Sequence, residues 1–303
     1  MLEQLAMPTR AEVEKSLLMT LFKNNGAIRE FASGVKIVDE IADGFSLNQE
    51  QRNAVLERIY KKENRIVKTP LWHRLLYRAA DNLAKEKLVT RPTITVQLTN
   101  KKEWMLTEKG FDAALQLLGL TSEQKAVLPV KSFEVQREIK RLTETERPEN
   151  YDPLDLQKKK KTHVKASNIR SRGFRHAVIE SYDYRCCVCG LKIQTPDFMI
   201  WEVEAAHIVP HGSNGRDDVW NGIALCKFHH WAFDTGWFSL SNDCKMVVSS
   251  RLQELPMDFG RVENYDFFRN TLYQDKLILL PKNPVLYPHP GSLKWHRQHI
   301  FHT

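Results

Sequence analysis

Four residues constrain this chain more than any others: the pair Cys186 and Cys189, and the pair Cys226 and His229, each with two residues between its members. A two-residue gap lets one tight turn present both side chains to the same metal ion. Two such turns supply four ligands, which closes a tetrahedron and leaves no position for water. The spacing therefore predicts a structural zinc ion (Zn2+) that ties together the loop-rich region between Cys189 and Cys226. Ordinary buried thiols are the other reading. A lone Cys-x-x-Cys leaves that reading open, whereas a second pair ending in histidine argues against it. Cys187 lies between two ligands and could stand in for a neighbour, and Cys244 reads as a plain thiol. Five cysteines in 303 residues are too few and too clustered for a disulfide framework.

His207, Asn221 and His230 stand inside and beside this frame, in the runs EVEAAHIVPHG and NGIALCKFHHWAFDTG. The segment from Tyr184 to Gly236 resembles the HNH nucleases, whose ββα-metal fold hydrolyses phosphodiesters with one divalent cation. The resemblance implies that His207 is the general base, that Asn221 fixes the loop and helps to orient it, and that His230 binds the catalytic cation, Mg2+ or Mn2+. The chemistry asks for a base with a pKa near neutral, which imidazole has. A core histidine paired to a carbonyl is the competing reading of His207, and a plain Asn-Gly turn that of Asn221. If a helix starts near Cys226, adjacent residues on it point about 100° apart. His229 then faces the zinc while His230 faces the active site.

Asp234 follows His230 by four residues and shares its helical face. An aspartate at a helix C-terminus is disfavoured by the macrodipole, so it is a candidate second ligand of the catalytic cation. Gly236 suits the left-handed residue that ends the helix. One position departs from the family: many HNH proteins carry a metal-binding Asp just before the base histidine, where this chain has Ala206. Asp234 is the first choice for the missing acid and Glu204 the second. Glu204 shares the face of Ala206 on an extended strand, while His207 points the other way. The resemblance reaches upstream through Phe174-Arg-x-x-Val178 and Tyr182. It reaches downstream through Lys276–Pro281, Leu293–His296 and Ile300-Phe301, so it covers roughly residues 166–303. Trp295 and His296 are expected to pack on the core.

The net charge of +8 is concentrated. From Gln157 to Gly190 there are nine Lys or Arg, opening with Lys158, Lys159, Lys160 and Lys161 and continuing through Lys165, Arg170, Arg172 and Arg175, against two acids, Glu180 and Asp183. Such a run is either a solvated tether or, at the entrance to a nuclease domain, a contact for DNA phosphates. Hydrophobic content of 42% is ordinary. No apolar stretch has the length of a membrane span, and the N-terminus has no basic-then-apolar signal pattern. A cytoplasmic protein that makes no membrane contact is expected.

Apolar spacing before the metal motifs predicts helices near 10–24, 33–43, 48–60 and Leu71 to Lys87. Extended segments are predicted at Leu88–Pro92 and Thr93–Leu98, then a turn at Asn100, a strand at Glu103–Thr107 and a short helix from Glu108. Helices followed by a two-stranded wing make a winged helix, and LAKEKLV…EWMLTEKGFDAAL resembles the N-terminal domain of Mrr-type restriction enzymes, mainly over residues 65–118. On the Leu71 helix, Trp72, Leu75, Leu76, Ala79 and Leu83 follow core spacing, which leaves His73, Arg74, Tyr77 and Arg78 outward. That face suits a major groove; a merely soluble face, a docking face or a dimerisation module are the alternatives. Residues 121–165 read as a linker, helical from Lys131 to Arg141.

The sequence thus predicts an α+β protein: a winged-helix DNA-recognition domain over 1–120, a linker over 121–165, and a ββα-metal HNH domain with a structural zinc over 166–303. The expected function is a restriction or phage-defence endonuclease acting on double-stranded DNA, with methylated DNA the preferred target and a homodimer on DNA plausible. A sequence-specific cutter of unmodified DNA, a DNA-binding zinc protein with an inactive nuclease fold, and an RNA-cutting toxin are the other readings.

Overall fold

The computed structural model describes all residues except 1, 3, 32–35, 61–64, 122–123, 156–163, 197–198 and 255–270. The chain divides into two compact units, Met1–Arg137 and Glu138–Thr303. The boundary falls inside the helix Phe133–Glu144, so the stretch expected as a linker is shared between them. Among the described residues no helix is long and apolar enough to cross a membrane.

In the first unit, helix α1 (Arg10–Lys23) starts with a capping box: Thr9 accepts from the Glu12 amide, and the Glu12 carboxylate accepts from the Thr9 amide at 2.8 Å. It buries Val13, Leu17, Leu18, Leu21 and Phe22. Strand β1 (Ala27–Arg29) follows, then helices α2 (Lys36–Gly44) and α3 (Gln49–Asn53). The helix expected over 48–60 stops at Asn53. Ala54 turns extended (ψ 129°), and β2 (Val55–Tyr60) pairs antiparallel with β3 (Arg65–Pro70), placing Glu57 opposite Lys68 in a 2.9 Å ion pair. A strand partner ten residues downstream overrode the apolar spacing.

Helix α4 (Leu71–Lys85) buries Leu71, Trp72, Leu75, Leu76, Ala79, Ala80 and Leu83 and packs on α1. After β4 (Val89–Thr90), the segment expected to form the first wing strand is instead helix α5 (Pro92–Thr99). Pro92 sits at its first position, where the ring's fixed φ favours a helix and no amide is lost. Thr95 is fully buried, and its hydroxyl bonds both the carbonyl and the amide of Glu103. Asn100 ends the helix in the left-handed region at φ 57°. Ile94, read as part of a strand, is 46% exposed. Strand β5 (Glu103–Leu106) lies between β1 and β4 in an antiparallel sheet, and α6 (Glu108–Leu117) closes the unit.

In the second unit, α7 (Phe133–Glu144) contributes its C-terminal half and α8 (Val164–Ser181) packs across an antiparallel hairpin of β6 (Glu204–His207) and β7 (Gly222–Leu225). Helix α9 (Lys227–Asp234) lies against the same hairpin, giving a two-strand-and-helix core beneath α8. A second hairpin, β8 (Phe238–Leu240) with β9 (Met246–Val248), and the helix α10 (Pro290–His299) complete the unit. His296 is buried on α10. It stacks on Phe233 at 3.7 Å, shares a hydrogen bond with the Ser239 hydroxyl at 2.8 Å, and its Nε2 lies 3.2 Å from the Phe233 carbonyl. Burial holds its pKa down at about 4.

Candidate active site and metal centre

The turn that follows α8 brings Cys186 and Cys189 onto one side. The Gly190 amide donates to the Cys186 carbonyl at 2.8 Å, and Gly190 itself takes φ 78°, a conformation that favours glycine. Cys226 follows β7 as the N-cap of α9, and His229 lies on the inner face of that helix, fully buried. The three sulfurs and a ring nitrogen of His229 all lie within 4.8 Å of one another. Nδ1 of His229 is 3.1 Å from Cys226 Sγ and 3.6 Å from Cys186 Sγ. Its Nε2 shares a 2.8 Å hydrogen bond with the Thr271 hydroxyl, which fixes the ring as an outer-shell partner does. Hydrogen bonds from Cys189 and Cys226 pull the Cys186 thiol well down. Sharing with Cys186 pushes Cys189 up to about 11 and Cys226 upward too. Thiols packed this closely ionise together only when a cation joins them. Soft sulfur donors and one imidazole, converging in tetrahedral number, fit zinc. Cys187 is buried and is not one of the four converging donors; its amide donates to the Ala224 carbonyl and its carbonyl accepts from the Leu279 amide.

His207 ends β6 opposite Gly222 on β7. Its ring stacks on Phe174 of α8 at 4.0 Å and 17°, and its Nε2 shares a 3.0 Å hydrogen bond with Asp217 Oδ1. Gly222 makes the stack possible: a Cβ there would stand 2.5 Å from Val178 Cγ2 and 2.8 Å from the Phe174 ring. Asn221 is fully buried. Its side chain accepts from the Val209 amide at 2.8 Å and donates to the Val209 and Arg216 carbonyls at 3.0 Å. It clamps both ends of the loop that leaves His207 and returns at Asp217. Its neighbour Gly215 allows the return, since a Cβ there would meet the Val209 carbonyl at 1.8 Å.

His230 faces away from the zinc ligands, one helical step from His229. Its Nδ1 bonds Glu204 Oε2 at 2.8 Å, and its Nε2 lies 3.5 Å from Asp234 Oδ2. Both acids considered in place of the one missing at Ala206 therefore reach the same histidine, while Ala206 itself is buried. Burial alone would lower the pKa of His230, but the Glu204 hydrogen bond and the Asp234 charge outweigh it and raise it. The Glu204 pKa is lowered by that hydrogen bond. Asp234 is raised by burial, although His230 and His207 lie close enough to oppose the shift. The two carboxylates meet opposite ring nitrogens, so His230 with Glu204, or His230 with Asp234, offers a two-residue nitrogen-and-oxygen donor pair for a small divalent cation. Among the described residues only the cysteine-histidine cluster brings more such donors together.

The residues expected to contact DNA are placed unevenly. His73 and Arg74 are half-buried on α4, and Tyr77 and Arg78 are exposed. Arg74, Tyr77 and Arg78 line an open cleft of about 920 Å³ with Arg10 and Lys85. The Tyr77 hydroxyl donates to the Phe31 carbonyl and its ring packs against Phe31, which ties the side chain to the protein. Arg172 is only 4% exposed, which corrects its assignment to a DNA-facing surface: the inner face of α8 carries it into the unit. Lys158, Lys159, Lys160 and Lys161 lie outside the described residues. Sequence reasoning missed Asp217. An acid ten residues after His207 carries no spacing signal, and only the Asn221-clamped loop brings it back.

Residues 186–241, within the second unit, match the family model described as HNH endonuclease. Solved structures similar to it include a "Modification dependent TagI restriction endonuclease", at 21% identity and a TM-score of 0.32. That alignment covers 46% of this chain and 44% of the other, so the match spans less than half of either protein. No curated protein matches this chain.

Proposed function

We propose that this chain is a DNA endonuclease of the restriction type, in which His207 activates water for attack on a phosphodiester and the first unit directs cleavage to modified DNA. The observation that carries the reading is the convergence of His207, His230, Glu204 and Asp234 on one face of the β6–β7–α9 core, next to the Cys3His cluster. His207 holds the proton at Nε2 against Asp217, which leaves Nδ1 as the nitrogen that takes a proton from water. Asp217 fixes that tautomer and balances the imidazolium that forms, while Phe174 fixes the ring plane. Asn221 touches only backbone, so it positions the loop and takes no part in the chemistry. Zinc held by Cys186, Cys189, Cys226 and His229 would be structural, since four protein donors close its coordination. A divalent cation, Mg2+ or Mn2+, when held by His230 with Glu204 or Asp234, supplies charge stabilisation at the phosphate and the leaving oxygen.

The preference for methylated DNA rests on the resemblance of residues 65–118 to Mrr-type domains. Helix α4 would carry the DNA-facing groups His73, Arg74, Tyr77 and Arg78, with a homodimer giving the two sites that a double-strand cut requires. Supercoiled plasmids from methylation-proficient and methylation-deficient hosts, incubated with Mg2+, test both parts. Cutting confined to methylated plasmid supports the full reading, and equal cutting of both transfers it to sequence-specific restriction of unmodified DNA. His207→Ala should lose on the order of 10²–10⁴ in rate with DNA binding kept. A His207→Ala protein that cuts as fast as the wild type removes the base assignment.

A further inference from the structure

Helix α8, which supplies Phe174, also brings a charged side chain toward the candidate active site. Phe174, on its inner face, is the ring on which His207 stacks, and Arg175 is the next residue, about 100° further round the helix. Arg175 is half-buried, and its guanidinium lies within electrostatic reach of Glu204, the acid bonded to His230. It nevertheless makes no ion pair with Glu204. Among the described residues no group accepts a hydrogen bond from it. Burial pulls its pKa down and Glu204 opposes that shift. A guanidinium partly withdrawn from water and without a carboxylate partner is available to bind an incoming anion. A fork of parallel N–H donors fits the oxygens of a phosphate diester better than any other side chain does.

The charge around it says what it waits for. Glu204, Asp234 and Asp217 place three carboxylates beside the two histidines. A DNA phosphate entering this face meets that repulsion, and a half-buried arginine offsets it more strongly than a solvated one would. We propose that Arg175 is a catalytic residue whose guanidinium donates to the non-bridging oxygens of the scissile phosphate, holding it between His207 and the Glu204–His230 pair. The inference rests on the nuclease reading above and adds to it the group that binds the reacting phosphate. No bond forms or breaks at Arg175: it carries no proton in the reaction and meets the charge that grows on phosphorus-bound oxygen as water attacks.

The test uses the full-length protein and whichever plasmid the wild type cuts, under single-turnover conditions. Arg175→Ala should slow cleavage on the order of 10²–10³-fold, while zinc content, melting temperature and plasmid binding without divalent cation stay at wild-type values. Added guanidinium ion should restore part of the lost rate in this variant and leave the wild type unaffected, which a packing defect would not show. Cleavage by Arg175→Ala within threefold of wild type overturns the proposal, as does a loss matched by an equal loss of plasmid binding or one that guanidinium leaves untouched. Should Arg175→Ala fail to fold, Arg175→Lys decides the matter. A tenfold or larger loss with binding kept supports a bidentate contact, and a wild-type rate overturns it. If the wild type, correctly folded and loaded with zinc, leaves every plasmid intact as His207→Ala does, the nuclease reading itself has failed and takes this inference with it.

Discussion

At the scale of single residues, the His207–Asp217 pair has the largest mechanistic consequence. The two lie 3.0 Å apart because Asn221 ties the loop between them to its own start, with three hydrogen bonds from one buried amide side chain. An acid in that position selects which imidazole nitrogen carries the proton, so removing its charge should cost rate and leave the fold intact. Asp217→Asn should slow cleavage by about 10²-fold or more, with DNA affinity and zinc content unchanged. Single-turnover kinetics beside a gel-shift titration measure the two separately, and undiminished kinetics would show Asp217 to be a bystander. The triad His207, Asn221 and His230 was legible in the sequence because their order and spacing are those of a known motif. Asp217 was not, because its approach depends on Gly215 and Asn221 folding a loop, and no local pattern encodes that.

At the scale of elements, the zinc cluster and helix α9 form one device. Cys226 is the N-cap of α9, Lys227 donates its amide to Glu202, and His229 and His230 on the first turn face opposite ways. An eight-residue helix is too short to be stable in isolation, so its place rests on the hairpin behind it and on the cluster at its start. Removing zinc should therefore disturb the catalytic side as well as the cluster, because His229 and His230 are neighbours on that helix. Stoichiometric zinc in protein purified without chelators is expected. Stripping it should lower the melting temperature of the second unit and abolish cleavage even with Mg2+ in excess, and refilling with zinc should restore both. Chelator-treated protein that melts unchanged would show the four donors to be ordinary thiols and a core histidine. Elements elsewhere follow the same logic in reverse. Helix α5 covers the segment Thr93–Leu98 expected to be extended, because Pro92 at its start and Thr95 bonded to Glu103 make it helical.

At the scale of the whole molecule, a buried histidine remote from the chemistry contributes to the pH dependence of stability in acid. His296 is held neutral under Phe233, with burial keeping its pKa at about 4. Because the folded value lies below that of an unfolded histidine, the unfolded chain binds more protons between the two. The stabilising contribution is complete above pH 6.5 and is lost as pH falls toward 4. The loss is on the order of 3 kcal/mol for a shift of this size. Melting curves from pH 7 down to pH 4 should show the wild type losing stability more steeply than His296→Gln, which has no proton to take up there. Parallel slopes would mean that another group governs the acid limit.

The division of the chain also belongs to this scale. Residues 124–137, expected to belong to the linker, fold into the first unit. Lys125 reaches the buried Glu108 at 2.8 Å, Ser132 donates to the same carboxylate, and the Lys131 amide donates to the Asn25 carbonyl at 3.0 Å. The sequence by itself determined whatever rests on short spacing: the four zinc donors, the order His207, Asn221, His230, the capped helix α1 and the buried stripe of α4. Each is decided within one turn of helix or a few residues of chain, where the ligand gap or the helical repeat acts directly. The tertiary structure decided what depends on segments that meet only after folding. It turned the second half of one predicted helix into strand β2 and one predicted strand into α5, and carried Arg172 inward. It also brought Asp217 to His207, set Glu204 and Asp234 on either side of His230, and left Arg175 near Glu204 with no hydrogen-bond acceptor among the described residues. Those outcomes depend on which distant surface offers the better partner, and a linear pattern holds no record of that competition.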